Sequence, residues 1–426
     1  MKTTSFTLIT TLFLSVCGYK SSAVTVIFKN RADTIIRDTT KKKGISTINL
    51  ADVKQKIRGF GGVNAWRGRL SDEDMNTLYG NANDNQYGFS IYRVHIAPFG
   101  DTSWTTELDN AKKAIARGAI IMASPWSPPA EMKTNNNVIG GSLKPQSYGA
   151  YAAYLKHFAE YMKDNGAKLY AISIQNEPDV HVKYESCDWS AAQMRDFLRD
   201  HGTEIGPTPI IAYESFNFNS FKMDTILDDK KAASHVNIIG GHIYGRSNDH
   251  TGIGYYARGF NEGKEAWMTE HLVNNTDWTG ALNTAKEMHD CMTVGNYSAY
   301  LWWFLKRFYG PLGEKGENTK RGYVMAQFSK YIRPGYNRVD ASANPTTNIY
   351  ISAFKGSGKV VIVAVNLGTT DVNQQFAISG GKAAASFTPH TTSADKSMAV
   401  GDKVNVLDKG FTYSLPAKSV TTFVSN

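Results

Sequence analysis

The sequence predicts an α/β protein, a (β/α)₈ TIM barrel with an attached β-sandwich side domain. Three observations lead there. From about residue 57, short apolar runs alternate with amphipathic helical stretches. After Arg333-Pro334-Gly335 the helical period stops and short β-branched segments take over. A length of 426 residues also suits one barrel of about 250 residues plus a smaller domain. The barrel is expected over 44–330, and the side domain from 24–43 together with 331–426.

Taken in order, residues 1–23 read as a signal peptide. Lys2 supplies the positive start, Phe6 to Val16 the apolar run, and Ser21-Ser22-Ala23 the small residues for cleavage. That run is too short to span a bilayer, and no other apolar stretch approaches 20 residues. No membrane span is expected, and the protein is expected to be secreted or periplasmic. Cys17, after Leu14-Ser15-Val16, is the less favoured site of a lipid anchor. The segment around Val24–Phe28 is expected to complete the sandwich as a strand.

Candidate barrel strands end near Gly59, His95, Ala123, Ile174, Ala212, Gly241, Thr269 and Trp302, with spacings that suit βα units rather than hairpins. Between them, Tyr151, Tyr154, Leu155, Phe158, Tyr161 and Met162 repeat on one helix face. That aromatic stripe is a core face rather than a platform for sugars. Beyond Gly335, Ile349–Ala353, Val360–Val365 and Val420–Val424 read as strands, with Lys355-Gly356-Ser357-Gly358 as a hairpin turn. No low-complexity linker separates the two parts, so a rigid joint is expected.

Composition narrows the partners. The formal charge of +9 loses Lys2 and Lys20 if the leader is cleaved. Basic residues are otherwise scattered, with Lys41-Lys42-Lys43 the one short run, which argues against nucleic acid and suits an acidic polysaccharide better. Cys187 and Cys291 sit in no CxxC or HExxH arrangement, so neither a metal site nor a cofactor is expected. A monomer is expected.

The chemistry concentrates at two strand ends. Ile174-Gln175-Asn176-Glu177-Pro178 follows the apolar run Leu169–Ile174, and Trp267-Met268-Thr269-Glu270 closes another. By strand count these are the fourth and seventh barrel strands, and catalytic groups of such barrels lie at the C-terminal ends. Two carboxyls facing across a barrel mouth at about 5–5.5 Å suit a retaining glycosidase, one protonated to expel the leaving sugar and one ionised to attack. A lone strand-end glutamate is more often an ordinary surface residue. Two of them on these strands, one within Asn-Glu-Pro, reverse that judgement.

At these residues the chain resembles glycoside hydrolase family 30, and most closely its bacterial glucuronoxylan-type endo-1,4-β-xylanases. The resemblance runs through Ile57-Arg58-Gly59-Phe60-Gly61-Gly62, Ala123-Ser124-Pro125-Trp126-Ser127-Pro128-Pro129, Asn176-Glu177-Pro178, Trp267–Glu270 and Arg333-Pro334-Gly335-Tyr336. It continues through Pro416–Thr422. The resemblance implies a (β/α)₈ glycosidase that acts on xylan or glucuronoxylan without a cofactor. It implies Glu177 as acid/base, Glu270 as nucleophile, and Asn176 as a partner of the sugar 2-hydroxyl. It further implies that Arg93 keeps the nucleophile ionised, that Tyr244 orients it, and that Trp126 stacks on a xylose ring. After the eighth strand, Arg307 matches an arginine that pairs with a methylglucuronic acid branch. Tyr309 matches its supporting tyrosine, and Trp303 the tryptophan packing the branch sugar.

Two loops depart from the pattern. Leu272 stands where relatives often place a tyrosine, and Val180–Asp188 differs throughout. A leucine cannot donate to the acid branch, so dependence on glucuronate is looser in one reading, with Asn275 a substitute donor. A family relative acting on another β-linked glycan is the second alternative; Arg307, Tyr309 and the Trp302-Trp303 pair argue against it. An inactive carbohydrate-binding protein is the third, and the presence of both glutamates argues against that. Asn217 and Asn219 receive no role.

Overall fold

The computed structural model describes residues 44–245 and 253–426. The expected leader 1–23 with Cys17, the strand expected around Val24–Phe28 and the rest of 24–43 lie outside the described residues. The first described strand, β1 (Ile45–Lys56), points Ser46, Ile48 and Leu50 inward on alternate positions. It does not belong to the barrel, to which the boundary at 44 had assigned it. It pairs with the second sheet instead.

The barrel is closed by eight parallel strands: β2 (Gly59–Val63), β3 (Ile91–Ile96), β4 (Ile120–Pro125), β5 (Ala171–Ser173), β6 (Ile210–Ser215), β7 (Val236–His242), β8 (Glu265–His271) and β9 (Ala299–Trp303). All eight expected strand ends fall in or beside these elements. The first differs, because Gly59 begins β2 rather than ending it. Its glycines serve close packing: a Cβ on Gly61 would lie 1.7 Å from the Ile91 carbonyl oxygen of the next strand.

Helices α1 (Asp72–Tyr79), α2 (Asp101–Ile115), α3 (Tyr148–Asp164), α4 (Ala191–His201), α5 (Ser220–Leu227), α6 (Lys230–His235), α7 (Ala257–Asn261), α8 (Trp278–Thr293) and α9 (Lys320–Ser329) form the outer layer. α3 buries Tyr151, Leu155, Phe158 and Met162 completely, so the aromatic stripe is core. Inside the barrel, Ile91, Met122, Ile211, Trp267 and Leu301 fill the centre below the site. Cys187, in the loop after β5, and Cys291, on α8, are buried thiols with no disulfide. Among the described residues, no helix is long and apolar enough to cross a membrane.

The second sheet contains β1, β10 (Asn337–Ala341), β11 (Ile349–Gly356), β12 (Lys359–Asn366), β13 (Val372–Ser379), β14 (Ser386–Thr392), β15 (Ala399–Val400), β16 (Val404–Asn405), β17 (Gly410–Leu415) and β18 (Ser419–Ser425). Its order is β15-β14-β18-β12-β11-β10-β1-β13-β17, with β16 on β14. Phe387 of β14 and Phe411 of β17 stand near opposite ends of that order, yet their rings are 5.2 Å apart. The sheet therefore curls over itself and encloses Ile48, Val339, Ile351, Ile362, Phe376 and Phe423. The expected hairpin turn joins β11 to β12, with Ser357 at φ 48° and Gly358 at φ 74°.

Val361, Val363, Val365 and Val420, by contrast, share the barrel's core. The Gln327 side chain of α9 donates to Thr392 Oγ1 at 2.8 Å, and its backbone carbonyl accepts from Thr422 Oγ1 at 2.7 Å. The joint between the two parts is thus packed and hydrogen-bonded.

Candidate active site

Every group of the site sits at the C-terminal rim of the barrel. Asn176 and Glu177 follow β5, where the Asn176 amide donates to the Pro125 carbonyl and that of Glu177 to the Glu214 carbonyl, at 2.8 and 3.1 Å. Glu177 takes the left-handed backbone at φ 46°, and Glu214, at the end of β6, does so at φ 58°. Both turns depart from strand geometry. Glu270 closes β8. Glu177 and Glu270 are 4% and 5% exposed, so both are shielded from bulk water. One carboxylate oxygen of each, with a ring nitrogen of His242, lie within 4.8 Å of one another. That approach fits the retaining geometry.

Arg93, fully buried on β3, ties the site together. It donates to Glu270, to Asn176 Oδ1 at 2.6 Å, to Glu214 Oε1 at 2.9 Å and to Ser124 Oγ at 3.1 Å. The Ser124 hydroxyl in turn donates to Glu214 at 3.0 Å. Tyr244 donates to Glu270 Oε1 at 3.1 Å. On the other carboxyl, Glu177 Oε1 lies 2.9 Å from His242 Nδ1, and Oε2 accepts from the Tyr184 hydroxyl at 3.2 Å.

The electrostatics divide these groups. Burial would push Glu214 up, but the Arg93 charge and the neighbouring His242 imidazole bring it down to about 2. Burial opposes charge on His242, yet Glu270, Glu177 and Glu214 outweigh it and lift the imidazole to about 9. Burial raises the Glu270 carboxyl, against the lowering charges of His242 and Arg93 and with a raising one from Glu177. Arg93 and a protonated His242 thus set two positive charges among the carboxyls of this cluster. Glu177, His242 and Glu270 also have the spacing of a metal triad, but the Arg93 guanidinium already fills the cation's part beside Glu270.

An aromatic wall rises beside the carboxylates. Trp126 is only 2% exposed, with the Arg93 guanidinium 4.6 Å from its ring centre. So little open face does not fit the stacking on a xylose ring that the resemblance implies for Trp126, which forms the floor of the wall instead. Trp66, after β2, is 46% exposed and packs on Trp126 and Trp303 at 5.2 and 5.7 Å. Trp303 stacks on Phe304 at 4.0 Å. Trp302 turns the other way on its strand and lies buried against Arg321, 4.5 Å from the guanidinium, outside the cleft.

The loop after β9 is pinned by Leu312 N–H to Leu305 O and Arg307 N–H to Leu312 O, both 3.0 Å. It holds Tyr309 nearly buried and Arg307 about one-third exposed, with Arg307 bonded to Glu314 at 3.0 Å. Leu272 packs against the core, and Asn275 Oδ1 accepts from the Asp277 amide at 3.0 Å.

The structure thus brings Arg93, Asn176, Glu177, Tyr244 and Glu270 into one network, with Trp126 and Trp303 beside it and Arg307 and Tyr309 on the next loop. Sequence reasoning missed Glu214, His242, Tyr184 and Trp66. Glu214 carries the same signal as its partners, a glutamate ending an apolar run. Tyr184 lies in the loop that departs from the family pattern; its neighbour Glu185 bonds His95 at 2.8 Å, and His95 packs on Trp66 and Trp126.

A parallel eight-stranded barrel with paired, shielded carboxylates after its fourth and seventh strands has the layout of a glycoside hydrolase. The chain belongs to glycosyl hydrolase family 30. The pattern of that family's TIM-barrel domain matches residues 62–261. The chain is 41% identical over 392 residues to glucuronoxylanase XynC of Bacillus subtilis (strain 168), covering 89% of this chain and 91% of that one. It is similar to the crystal structure of the family 30 subfamily 8 xylanase Xyn30A from Clostridium acetobutylicum, with 47% identity and a TM-score of 0.85 over 90% of this chain and 100% of that one. A family 30 endoxylanase from Clostridium papyrosolvens C71 gives 41% identity and a TM-score of 0.82, covering 89% and 99%.

Proposed function

We propose that this glycoside hydrolase is a retaining endo-1,4-β-xylanase directed by the methylglucuronic acid branches of glucuronoxylan. The observation that carries the reading is the pair Glu177 and Glu270, with carboxylate oxygens within 4.8 Å and two different sets of neighbours. Glu177 gives its proton to the glycosidic oxygen while the Glu270 carboxylate attacks the anomeric carbon, and the bond to the departing chain breaks. Glu177 then takes a proton from water, whose oxygen displaces Glu270 from the sugar. The hydrogen bonds from Arg93 and Tyr244 serve the ionised form of Glu270. Asn176, its oxygen held by Arg93, presents its amide N–H₂ to the sugar 2-hydroxyl.

Trp66 offers the open indole face for a xylose ring, on a floor of Trp126, and Trp303 packs the branch sugar. Arg307, seconded by Tyr309, pairs with the branch carboxylate, for which a planar guanidinium is suited. The likeness to the glucuronoxylanase XynC supports this choice of substrate. A looser dependence on the branch is favoured by Leu272, which packs on the core and brings no donor.

Mass spectrometry of products from glucuronoxylan and from an arabinoxylan lacking uronic acid tests the reading. Products that each carry one acidic branch, with far slower attack on the arabinoxylan, are expected. Equal cutting of both retires Arg307 as a specificity residue and keeps the xylanase. Cleavage of neither sinks the xylanase.

A further inference from the structure

The loops after the first and eighth barrel strands meet at one carboxylate. Glu314 Oε1 accepts from Arg307 Nη1 at 3.0 Å, and Oε2 accepts from Arg67 Nη2 at 2.7 Å. Each guanidinium takes a different oxygen, so two cations hold one planar anion. The three side chains remain 32%, 43% and 34% exposed for Arg67, Glu314 and Arg307, within reach of a ligand.

The two arginines are fixed at the rim of the aromatic wall. Arg67 directly follows Trp66, whose ring packs on Trp126 and Trp303. Arg307 sits on the pinned loop, and its neighbour Lys306 is anchored to Asp74 at 2.8 Å. Glu314 belongs to a separate tight turn, closed by Gly313 N–H to Glu317 O at 2.9 Å and Gly316 N–H to Gly313 O at 3.0 Å. Its side chain can swing out without disturbing either arginine's backbone.

We propose that Arg67 and Arg307 form a two-arginine clamp for the substrate's uronate, and that Glu314 is the resident carboxylate which the branch displaces. This rests on the uronate reading of Arg307 and adds a second recognition residue and an internal competitor. Unoccupied, two guanidinium groups this close would repel; Glu314 neutralises them and keeps the clamp assembled. Exposed ion pairs of this kind change an equilibrium by only a few-fold, so a uronate held also through its sugar ring outcompetes Glu314. A neutral branch brings no charge with which to displace it. Discrimination therefore arises from the competitor as well as from the clamp.

The test compares the ratio of KM on glucuronoxylan to KM on linear xylan for the wild type, Glu314→Gln, Arg67→Ala and Arg307→Ala. Circular dichroism verifies that each variant is folded. Removing the competitor's charge should lower the ratio by roughly two- to fivefold with kcat held. Arg67→Ala should raise it by about tenfold, in the same direction as Arg307→Ala. A ratio that rises in Glu314→Gln overturns the competitor, because Glu314 would then only prop Arg307. A ratio unmoved in Arg67→Ala but raised in Arg307→Ala overturns the clamp and leaves the uronate reading standing. Equal use of both substrates by the wild type brings down the uronate reading itself, before any variant is compared.

Discussion

At the scale of single residues, the two carboxyls of the site are made unlike by what touches them. Glu270 meets a guanidinium and a phenol; Glu177 meets an imidazole and the hydroxyl of Tyr184. Burial and the Glu177 charge push the Tyr184 phenol up, so it stays a hydrogen-bond donor throughout the working range. Tyr184→Phe removes that donor from Glu177 Oε2. The expected result is about a tenfold fall in kcat on xylan, where proton transfer to the leaving group matters. On an aryl xyloside with an acidic leaving group the fall should shrink below about twofold, since such a group departs without a proton. Equal losses on both substrates would make Tyr184 a structural prop. Of this network, Glu177 and Glu270 were legible as members because each follows an apolar run at the C-terminal end of a barrel strand. Glu214 ends a run just as plainly, and only its lack of a known motif hid it. His242 and Tyr184 were hidden for a different reason: their roles depend on distances across the barrel mouth that no local pattern encodes.

At the scale of elements, helix α2 carries an acid where a core residue belongs. Glu107 is 6% exposed beneath the barrel wall, and burial lifts its carboxyl from 4.5 to about 8, against hydrogen bonds that lower it. The folded chain therefore holds a proton on Glu107 that the unfolded chain releases between about pH 4.5 and 8. Stability from this group is intact below the unfolded value and declines as pH rises through that window. Glu107→Gln mimics the protonated form. It should raise the melting temperature by on the order of 1–3 °C at pH 8 and change it little at pH 4.5, as read by calorimetry at both pH values. A difference independent of pH would show that the carboxyl titrates normally. The barrel strands could be placed from sequence because each is a short apolar run between amphipathic helices. β2 was displaced because Gly59-Phe60-Gly61-Gly62 has the composition of a turn, while its glycines in fact admit the neighbouring backbone. The side-domain strands were legible from their β-branched runs, but β1 was assigned to the wrong sheet. Its alternation declares a strand and says nothing about which partner it will find.

At the scale of the whole molecule, one face of the side sheet is built into the barrel's apolar core. Val361, Val363, Val365 and Val420 of the sheet lie in the same apolar cluster as the barrel helices, and Gln327 of α9 bonds to both β14 and β18. Each part keeps an apolar cluster of its own, but the shared valines and the Gln327 hydrogen bonds couple the two. Residues 44–426 should melt in a single calorimetric transition whose van't Hoff and calorimetric enthalpies agree. Two resolved transitions would show that the sheet folds alone. The route taken by β1 has one more consequence, for the order in which the chain is made. β1 is synthesised ahead of the entire barrel, yet its hydrogen-bond partners β10 and β13 lie roughly three hundred residues further on, β13 more than that. Until those strands leave the ribosome, β1 waits without a ladder and the valine-facing flanks of α8 and α9 stay wet. The earliest described strand can thus be locked only after β10 and β13 have been made.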